Sequence, residues 1–517
     1  MPHLGPALDQ PVPLSNLLQA GLERSPDEAA LLSRKGEATW SELEAVSNGL
    51  AANYLAIGLK PGDRFASLMP NRIALIAHYL ACFKAGLVLT PLNYRYTAPE
   101  IDHALDVSGA RVMLAHAERA ADLAATKAGK LPLGIISFGP KGTSGLSFES
   151  LAATGSGTEL PNVPPDAPAA IFFTSGSTGP AKGVTHTVGS LGWMFASAVK
   201  SFGLGPDDVA LPGSSCSHIA GFTLSLSALS ALSAGAQVAV AMAFDHDELG
   251  PLFRQVRPTV FSMLPTALMH LLQEHDMTAD ELASLRLCRS AGDKVPSELQ
   301  SEDTALTGHP ISEGYGMTEI GFGALHPPAV ADRLGSIGLP SPGFAFSIER
   351  GEEMPSGGQG RLWVKTPSRT AGYWNDAKAS AEVIRDEWLD TGDVMKADGD
   401  GYLWFCGRQK QIIVHDGSNI APQEVEDALL AHPAVESAGV IGIHTLAHGE
   451  NVRAYVALKP GVTRPKALDL IQFAKARVGY KAPEEIVFLD TMPFNATGKV
   501  DRVALKALAA GDHAHQL

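Results

Sequence analysis

Capped amphipathic helices alternate with short apolar strands through the first 170 residues, and this alternation restricts the fold more than any other feature of the chain. Thr39 and Glu42 stand at capping-box spacing ahead of an amphipathic helix that ends near Gly58. Lys60-Pro61-Gly62-Asp63 then turns the chain into the apolar stretch Phe65 to Leu68. A second helix, about Arg72 to Lys84, stops at Gly86 and yields to Leu87-Val88-Leu89. Thr97 and Glu100 repeat the capping pattern before the strand Arg111 to Leu114. Strands separated by helices pair in parallel, because a parallel partner is reached only through a crossover. The predicted class is therefore α/β, with mostly parallel sheets flanked by helices.

At 517 residues the chain exceeds what one core supports, so two or more domains are expected. A net charge of -15 argues against a nucleic-acid partner, since no basic face offsets it. Cys82, Cys216, Cys288 and Cys406 form no CxxC pair, which suggests neither a disulfide framework nor a zinc site and fits a reducing cytoplasm. The N-terminus shows no basic segment followed by an apolar one, so no signal peptide is expected. Residues 209 to 244 carry no charged side chain, but Ser225, Ser227, Ser230, Ser233 and Gly235 interrupt them. A buried helix of about 14 residues followed by a strand, Ala236 to Phe244, explains the run better than a membrane span.

The apolar run Ala169 to Phe173 feeds Thr174-Ser175-Gly176-Ser177-Thr178-Gly179-Pro180-Ala181-Lys182-Gly183-Val184. Glycines, hydroxyls and one lysine at the end of a strand offer the N–H groups, O–H donors and mobile cation that a polyphosphate needs. The same small residues also make flexible linkers, so the loop alone leaves both readings open. It does not fit GxxxxGK[ST], because Ala181 precedes Lys182 and Gly183 follows it.

Four further stretches accompany this loop: Gly314-Tyr315-Gly316-Met317-Thr318-Glu319, Asp390-Thr391-Gly392-Asp393, Gly407-Arg408-Gln409-Lys410 and Pro493-Phe494-Asn495-Ala496-Thr497-Gly498-Lys499. In this order they resemble the signature motifs of the adenylate-forming superfamily, which includes acyl-CoA synthetases. The resemblance implies a large N-terminal AMP- and acyl-binding domain, 1 to 408, and a small mobile α+β domain, 409 to 517, hinged near Lys410. It implies that a carboxylic acid attacks the α-phosphate of ATP, giving acyl-AMP and pyrophosphate, and that the adenylate then acylates coenzyme A. Thr174, Ser175, Gly176, Ser177, Thr178 and Lys182 would hold the outer phosphates, Thr318 the α-phosphate, and Glu319 would be the magnesium ligand. Gly314, Tyr315, Gly316 and Met317 would meet the adenine, Asp393 and Arg408 the ribose, and Lys499 would bridge the carboxylate and the α-phosphate.

Gly292 and Asp293 are assigned to the nucleotide side by the same resemblance, although Asp293-Lys294 departs from the uncharged residues common after this glycine and also reads as a solvent-facing pair; Gly417 is assigned to the loop that the small domain presents after rotation, and His218 to the pocket mouth. Taken without the family, Tyr315 to Glu319 also reads as a strand-to-helix turn, Asp393 as turn chemistry, and His218 as a satisfied core residue. Asp398-Gly399-Asp400-Gly401 lacks the spacing of a calcium loop and reads as a hairpin turn. Trp193, Phe195 and Phe222 with Ala291, Gly292 and Gly314 suggest an apolar acyl pocket with no basic residue for a second carboxylate.

The expected protein is thus an ATP- and Mg²⁺-dependent acyl-CoA ligase for a monocarboxylic acid, fatty or aryl, with a role in fatty acid metabolism among the options. Its expected partners are that acid, ATP and CoA, with no nucleic acid, no integral membrane segment, and a homodimer as the assembly to test. The alternatives are an acyl-AMP ligase that serves a carrier protein and an inactive nucleotide-binding homologue.

Overall fold

In the computed structural model the described residues are 3–139, 146–153, 157–174, 181–218, 228–273, 277–291, 295, 297–325, 333, 335–348, 359–415, 418–445, 449–495 and 498–514. Local signals placed the first helices correctly. Thr39 Oγ1 accepts from the Glu42 N–H (3.1 Å) while the Glu42 carboxylate accepts from the Thr39 N–H (2.9 Å), opening the helix Trp40–Ala56. Gly86 closes the helix Ile73–Ala85 with φ 66°, a left-handed conformation in which a Cβ would be strained.

Every residue from Leu75 to Ala85 is buried, because this helix lies in the largest core cluster with sheet residues such as Leu31, Phe65, Leu89, Phe172 and Ala210. A helix apolar on all sides needs cover on all sides. Its buried Lys84 is held by Glu44 at 2.7 Å and by the side chains of Ser47 and Asn48. Two buried imidazoles are kept neutral by burial: His78 of this helix, pushed down to about 3, and His186, pushed down to about 4.

These histidines predict a pH-dependent stability. Their folded pKa values lie below the unfolded value of about 6.5, so protonation favours the unfolded chain. Their contribution is complete above pH 6.5 and is lost as pH falls toward 4, at up to about 1.4 kcal/mol per pH unit for each. Melting temperatures measured from pH 7.5 to 4.5 should fall across that window, and His78→Gln should make the fall shallower. An equal slope in the variant would contradict the assignment.

Among the described residues four sheets are present. One runs, in spatial order, Leu339–Pro340, Gly321–Leu325, Ser312–Met317, Leu287–Ala291, Val260–Met263, Val209–Gly213, Gln237–Ala239, Ala29–Ser33, Gly36–Thr39. Its centre is parallel and its two ends are antiparallel. A second runs Gly372–Tyr373, Lys182–Thr187, Pro168–Thr174, Val88–Pro91, Arg64–Leu68, Val112–His116, Ile135–Phe138, and is parallel from Pro168–Thr174 onward. The third, built on Ala345–Ile348, Gln359–Lys365, Trp388–Ala397 and Leu403–Arg408, is antiparallel throughout, which the mostly parallel expectation did not include. It ends at Arg408, and the fourth sheet starts at Ile413–His415 and uses only later strands.

The charge-free run from 209 to 244 departs from its expected layout. It begins with the strand Val209–Gly213, its described helix is Ala228–Ser233, and its last strand is only Gln237–Ala239. Residues 219–227, Phe222 among them, lie outside the described residues. Among the described residues no helix is long and apolar enough to cross a membrane.

Candidate active site

The strand Pro168–Thr174 pairs antiparallel with Lys182–Thr187, and Thr174 lies opposite Lys182. The loop between them therefore closes a hairpin at the C-terminal end of a strand that is parallel to Val88–Pro91. Its Ser175, Gly176, Ser177 and Thr178 lie outside the described residues. The Lys182 ammonium rests over the Tyr373 ring, 4.7 Å from its centroid. Tyr373 reaches this place because Gly372–Tyr373 adds to the edge of the hairpin, opposite Thr185 and Val184.

The Tyr373 hydroxyl donates to Glu319 Oε1 at 3.0 Å. Tyr373 thus separates Lys182 from Glu319 while touching both, a role that sequence reasoning missed because the two contacts come from residues 191 and 54 positions away. Glu319 itself is only 8% exposed, and burial pushes its carboxyl above the usual carboxylate range. It follows Thr318 in the turn between the strands Ser312–Met317 and Gly321–Leu325. That turn joins two antiparallel strands, so the alternative of a strand-to-helix turn is wrong.

His186 is a second residue the sequence did not reveal. Its Nε2 bonds the Thr318 carbonyl at 2.7 Å, and its Nδ1 faces Ser190 Oγ at 3.3 Å. A carbonyl only accepts, so the proton sits on Nε2 and the neutral ring holds the Thr318–Glu319 peptide in place. Gly314, at the start of the same hairpin, has no room for a side chain. A Cβ there would meet the Ala324 carbonyl and the Phe322 ring at 2.8 Å.

Asp393 lies within the strand Trp388–Ala397 rather than in a turn, opposite Arg408 in the ladder. The Tyr315 hydroxyl donates to Asp393 Oδ2 at 2.6 Å, and Arg408 Nε stands 3.3 Å from Oδ1. Oδ1 nevertheless makes no hydrogen bond, although it is buried, so one lone-pair edge of this carboxylate is left for a donor. Burial raises the Asp393 carboxyl; Arg408, Tyr315 and Lys499 act against that rise. Half-buried His218 is pushed down to about 4, by burial first and by the Lys499 charge second.

Lys499 therefore stands near both Asp393 and His218, although 106 residues separate it from Asp393 in sequence. Its own turn is tied by Asn495, whose N–H donates to the Lys499 carbonyl (2.8 Å) and whose side chain accepts from the Lys499 N–H (3.1 Å). A Cβ built on Gly498 would lie 4.0 Å from Leu264, so the turn abuts the larger part of the protein. Met317 packs half-buried in the cluster around Tyr315 and Phe346, and Gly316 stands opposite Phe322 across a bulge.

With this geometry in hand, comparison with known proteins is informative. A family model described as AMP-binding enzyme matches residues 18–374, and one described as AMP-binding enzyme C-terminal domain matches 424–499. The chain belongs to the AMP-binding enzyme family of adenylate-forming ligases. A feruloyl-CoA synthase of Amycolatopsis is 35% identical over 488 residues, covering 92% of this chain and 95% of the relative. An indoleacetate–CoA ligase of Aromatoleum aromaticum is 32% identical, covering 95% and 96%. The crystal structure of ATP-bound MatB from Rhodopseudomonas palustris superposes with a TM-score of 0.88 at 29% identity, covering 96% and 99%. The protein is an ATP-dependent, AMP-forming acid–thiol ligase that works through an acyl-adenylate.

For this ligase the donor set at Glu319 fits a hard divalent cation. A buried carboxylate with raised pKa regains its charged form beside a cation, and Mg²⁺ takes few protein ligands when phosphates supply the rest. Among the described residues no three His, Cys, Asp or Glu side chains cluster as a metal site. Gly292, Asp293 and Gly417 lie outside the described residues. Phe195 is fully buried in the main core, so it is a core residue and not a wall of an open pocket. The ligase also buries a cation that composition could not place: Arg289 is 3% exposed, with its guanidinium lowered to about 9 by burial and still charged at neutral pH.

Proposed function

We propose that this ligase activates an aromatic monocarboxylic acid and transfers it to coenzyme A. The approach of Lys499 to Asp393 and His218 carries the reading of the first step, because it brings a mobile cation to the place where two anions must meet. In that step a carboxylate oxygen bonds the α-phosphorus and the bond to the bridging oxygen of pyrophosphate breaks. Lys499 offsets the charge between the reacting anions. Lys182, with the hydroxyls of Thr174, Ser175, Ser177 and Thr178 and the Gly176 backbone, steadies the leaving pyrophosphate. Thr318, held through the His186 bond to its carbonyl, faces the α-phosphate. Asp393 receives the ribose hydroxyls at its open edge, with Arg408 beside it.

Glu319 would hold Mg²⁺, which when bound supplies charge neutralisation on the phosphates. In the second step the CoA sulfur attacks the acyl carbonyl and AMP leaves with the bonding electron pair. We assign residues 1–408 and 409–517 to two domains that reorient about Lys410 between the steps, a division supported by the change of sheet between Arg408 and Ile413. The aromatic class is supported by the substrates that the names of two relatives carry, a feruloyl and an indoleacetate group.

The test is to incubate enzyme, ATP and MgCl₂ with aromatic and fatty acids, with and without CoA, and to measure pyrophosphate, AMP and thioester. Thioester from aromatic acids is expected, with none before CoA is added. Pyrophosphate without thioester would indicate delivery to a carrier protein. Preference for fatty acids would overturn the aromatic class, and no turnover of any acid would indicate an inactive homologue.

A further inference from the structure

Asp393 owes its aim to a break in the ladder rather than to regular strand geometry. On the strand Gln359–Lys365, Arg361 stands opposite Val394 and Trp363 stands opposite Asp390. Thr391, Gly392 and Asp393 therefore face Leu362 alone, where a regular antiparallel ladder would place one residue. Such a bulge re-aims side chains, and it leaves its extra residues without ladder bonds on that side, so other groups must hold them. Gly392 takes φ 70°, the left-handed region that glycine reaches without strain.

Side chains take over where the ladder fails. Thr391 Oγ1 donates to the Leu362 carbonyl at 2.9 Å and accepts from the Asp393 N–H at 3.1 Å. The Gly392 N–H donates to Asp390 Oδ1 at 3.0 Å. Asp390 is buried, and Arg361 grips it from the neighbouring strand: Nε donates to Oδ1 at 2.7 Å, and Nη2 pairs with Oδ2. A two-pronged pair of guanidinium and carboxylate fixes direction as well as charge. The charge it offsets matters to the neighbouring acid. Burial raises the Asp393 carboxyl first, and the charge of Asp390 adds to that rise.

We propose that Arg361 is a positioning residue for the nucleotide: through Asp390 and the Gly392 N–H it pins the bulge that turns the open edge of Asp393 toward the ribose hydroxyls. This rests on the ribose reading of Asp393 given above. Arg361 acts at one remove, so its loss changes how well ATP is held and not how the bound substrates react. Without the guanidinium, the Asp390 carboxylate is free to turn away from the Gly392 N–H, and the bulge loses the bond that sets its shape.

The experiment measures kcat and KM for ATP, 2′-deoxy-ATP and 3′-deoxy-ATP, together with KM for CoA and for the acid that turns over best, using wild type, Arg361→Met, Arg361→Lys and Asp390→Asn. Arg361→Met should raise KM for ATP by about 10-fold, the size of one hydrogen bond to a charged group, with kcat close to wild type. Its preference for ATP over the two deoxynucleotides should shrink by a similar factor, while KM for the acid and for CoA stays as in wild type. Arg361→Lys keeps the charge but not the fork, and should recover part of the loss. A folded Arg361→Met that keeps the wild-type preference for ATP overturns the proposal while leaving the ribose reading of Asp393 intact. Equal rises in KM for ATP, acid and CoA make Arg361 a general structural residue and also overturn it. A wild type with no preference for ATP over either deoxynucleotide overturns both readings. Should Arg361→Met not fold, Asp390→Asn, which keeps the shape and removes the charge, decides by the same ratio.

Discussion

Lys499→Ala should reduce acyl-adenylate formation by about 10²-fold to 10³-fold or more, the usual loss when one preorganised charge is removed from a transition state. The lysine is the group that the C-terminal turn brings to Asp393 and His218, and no change of sheet or core is needed to remove it. The second half-reaction begins from an adenylate already formed, so thioester production from supplied acyl-AMP and CoA should be largely spared. Pyrophosphate release with ATP and thioester formation with synthetic acyl-AMP read the two steps separately. Equal losses in both would sink the role. The variant should also raise the pKa of His218, which the lysine charge now helps to hold down.

Asp393→Ala is expected to raise KM for ATP by about 10²-fold, since it removes an acceptor for which the ribose offers two donors. The physical ground is the buried Oδ1, which faces Arg408 but makes no hydrogen bond, while Oδ2 is taken by Tyr315. Sugar-deficient nucleotides sharpen the test. Wild type should discriminate against 2′-deoxy-ATP or 3′-deoxy-ATP relative to ATP, and the variant should lose that discrimination. A variant that binds ATP poorly yet still rejects both deoxynucleotides would place the ribose elsewhere and make Asp393 a structural partner of Arg408 and Tyr315. Melting temperature separates the two cases, because a purely structural Asp393 would lower it in parallel with activity.

Much of the fold was legible wherever the determining contacts are local. The Thr39–Glu42 capping box and the left-handed Gly86 act within a few residues, so their effects follow from spacing alone. The third sheet was not legible, because between its strands Gln359–Lys365 and Trp388–Ala397 lie only two-residue strands and the short helix Ala377–Val383, which carry no crossover signal. The strand Val209–Gly213 was hidden inside a charge-free run whose small residues suit a helix and a buried strand equally. At the site, the residues that only support the motif positions carried no signal in the sequence. His186, Tyr373 and Arg361 each act across a sheet, on partners that share no spacing with them.

Sequence alone determined the chemistry available to this protein: a Gly- and hydroxyl-rich turn with Lys182, the acid Glu319, the acid Asp393 and a late lysine, in an order that matches one superfamily. It could do so because residue type and short-range spacing set charge, donor supply and turn geometry. Tertiary structure decided which of these groups meet and what holds them. It set Tyr373 between Lys182 and Glu319, left one edge of Asp393 open, brought Lys499 back to His218, and buried Arg289 against Phe322. Those meetings depend on strand register and on packing between distant elements, and a side chain's long-range neighbours are set by the whole core rather than by the residues next to it.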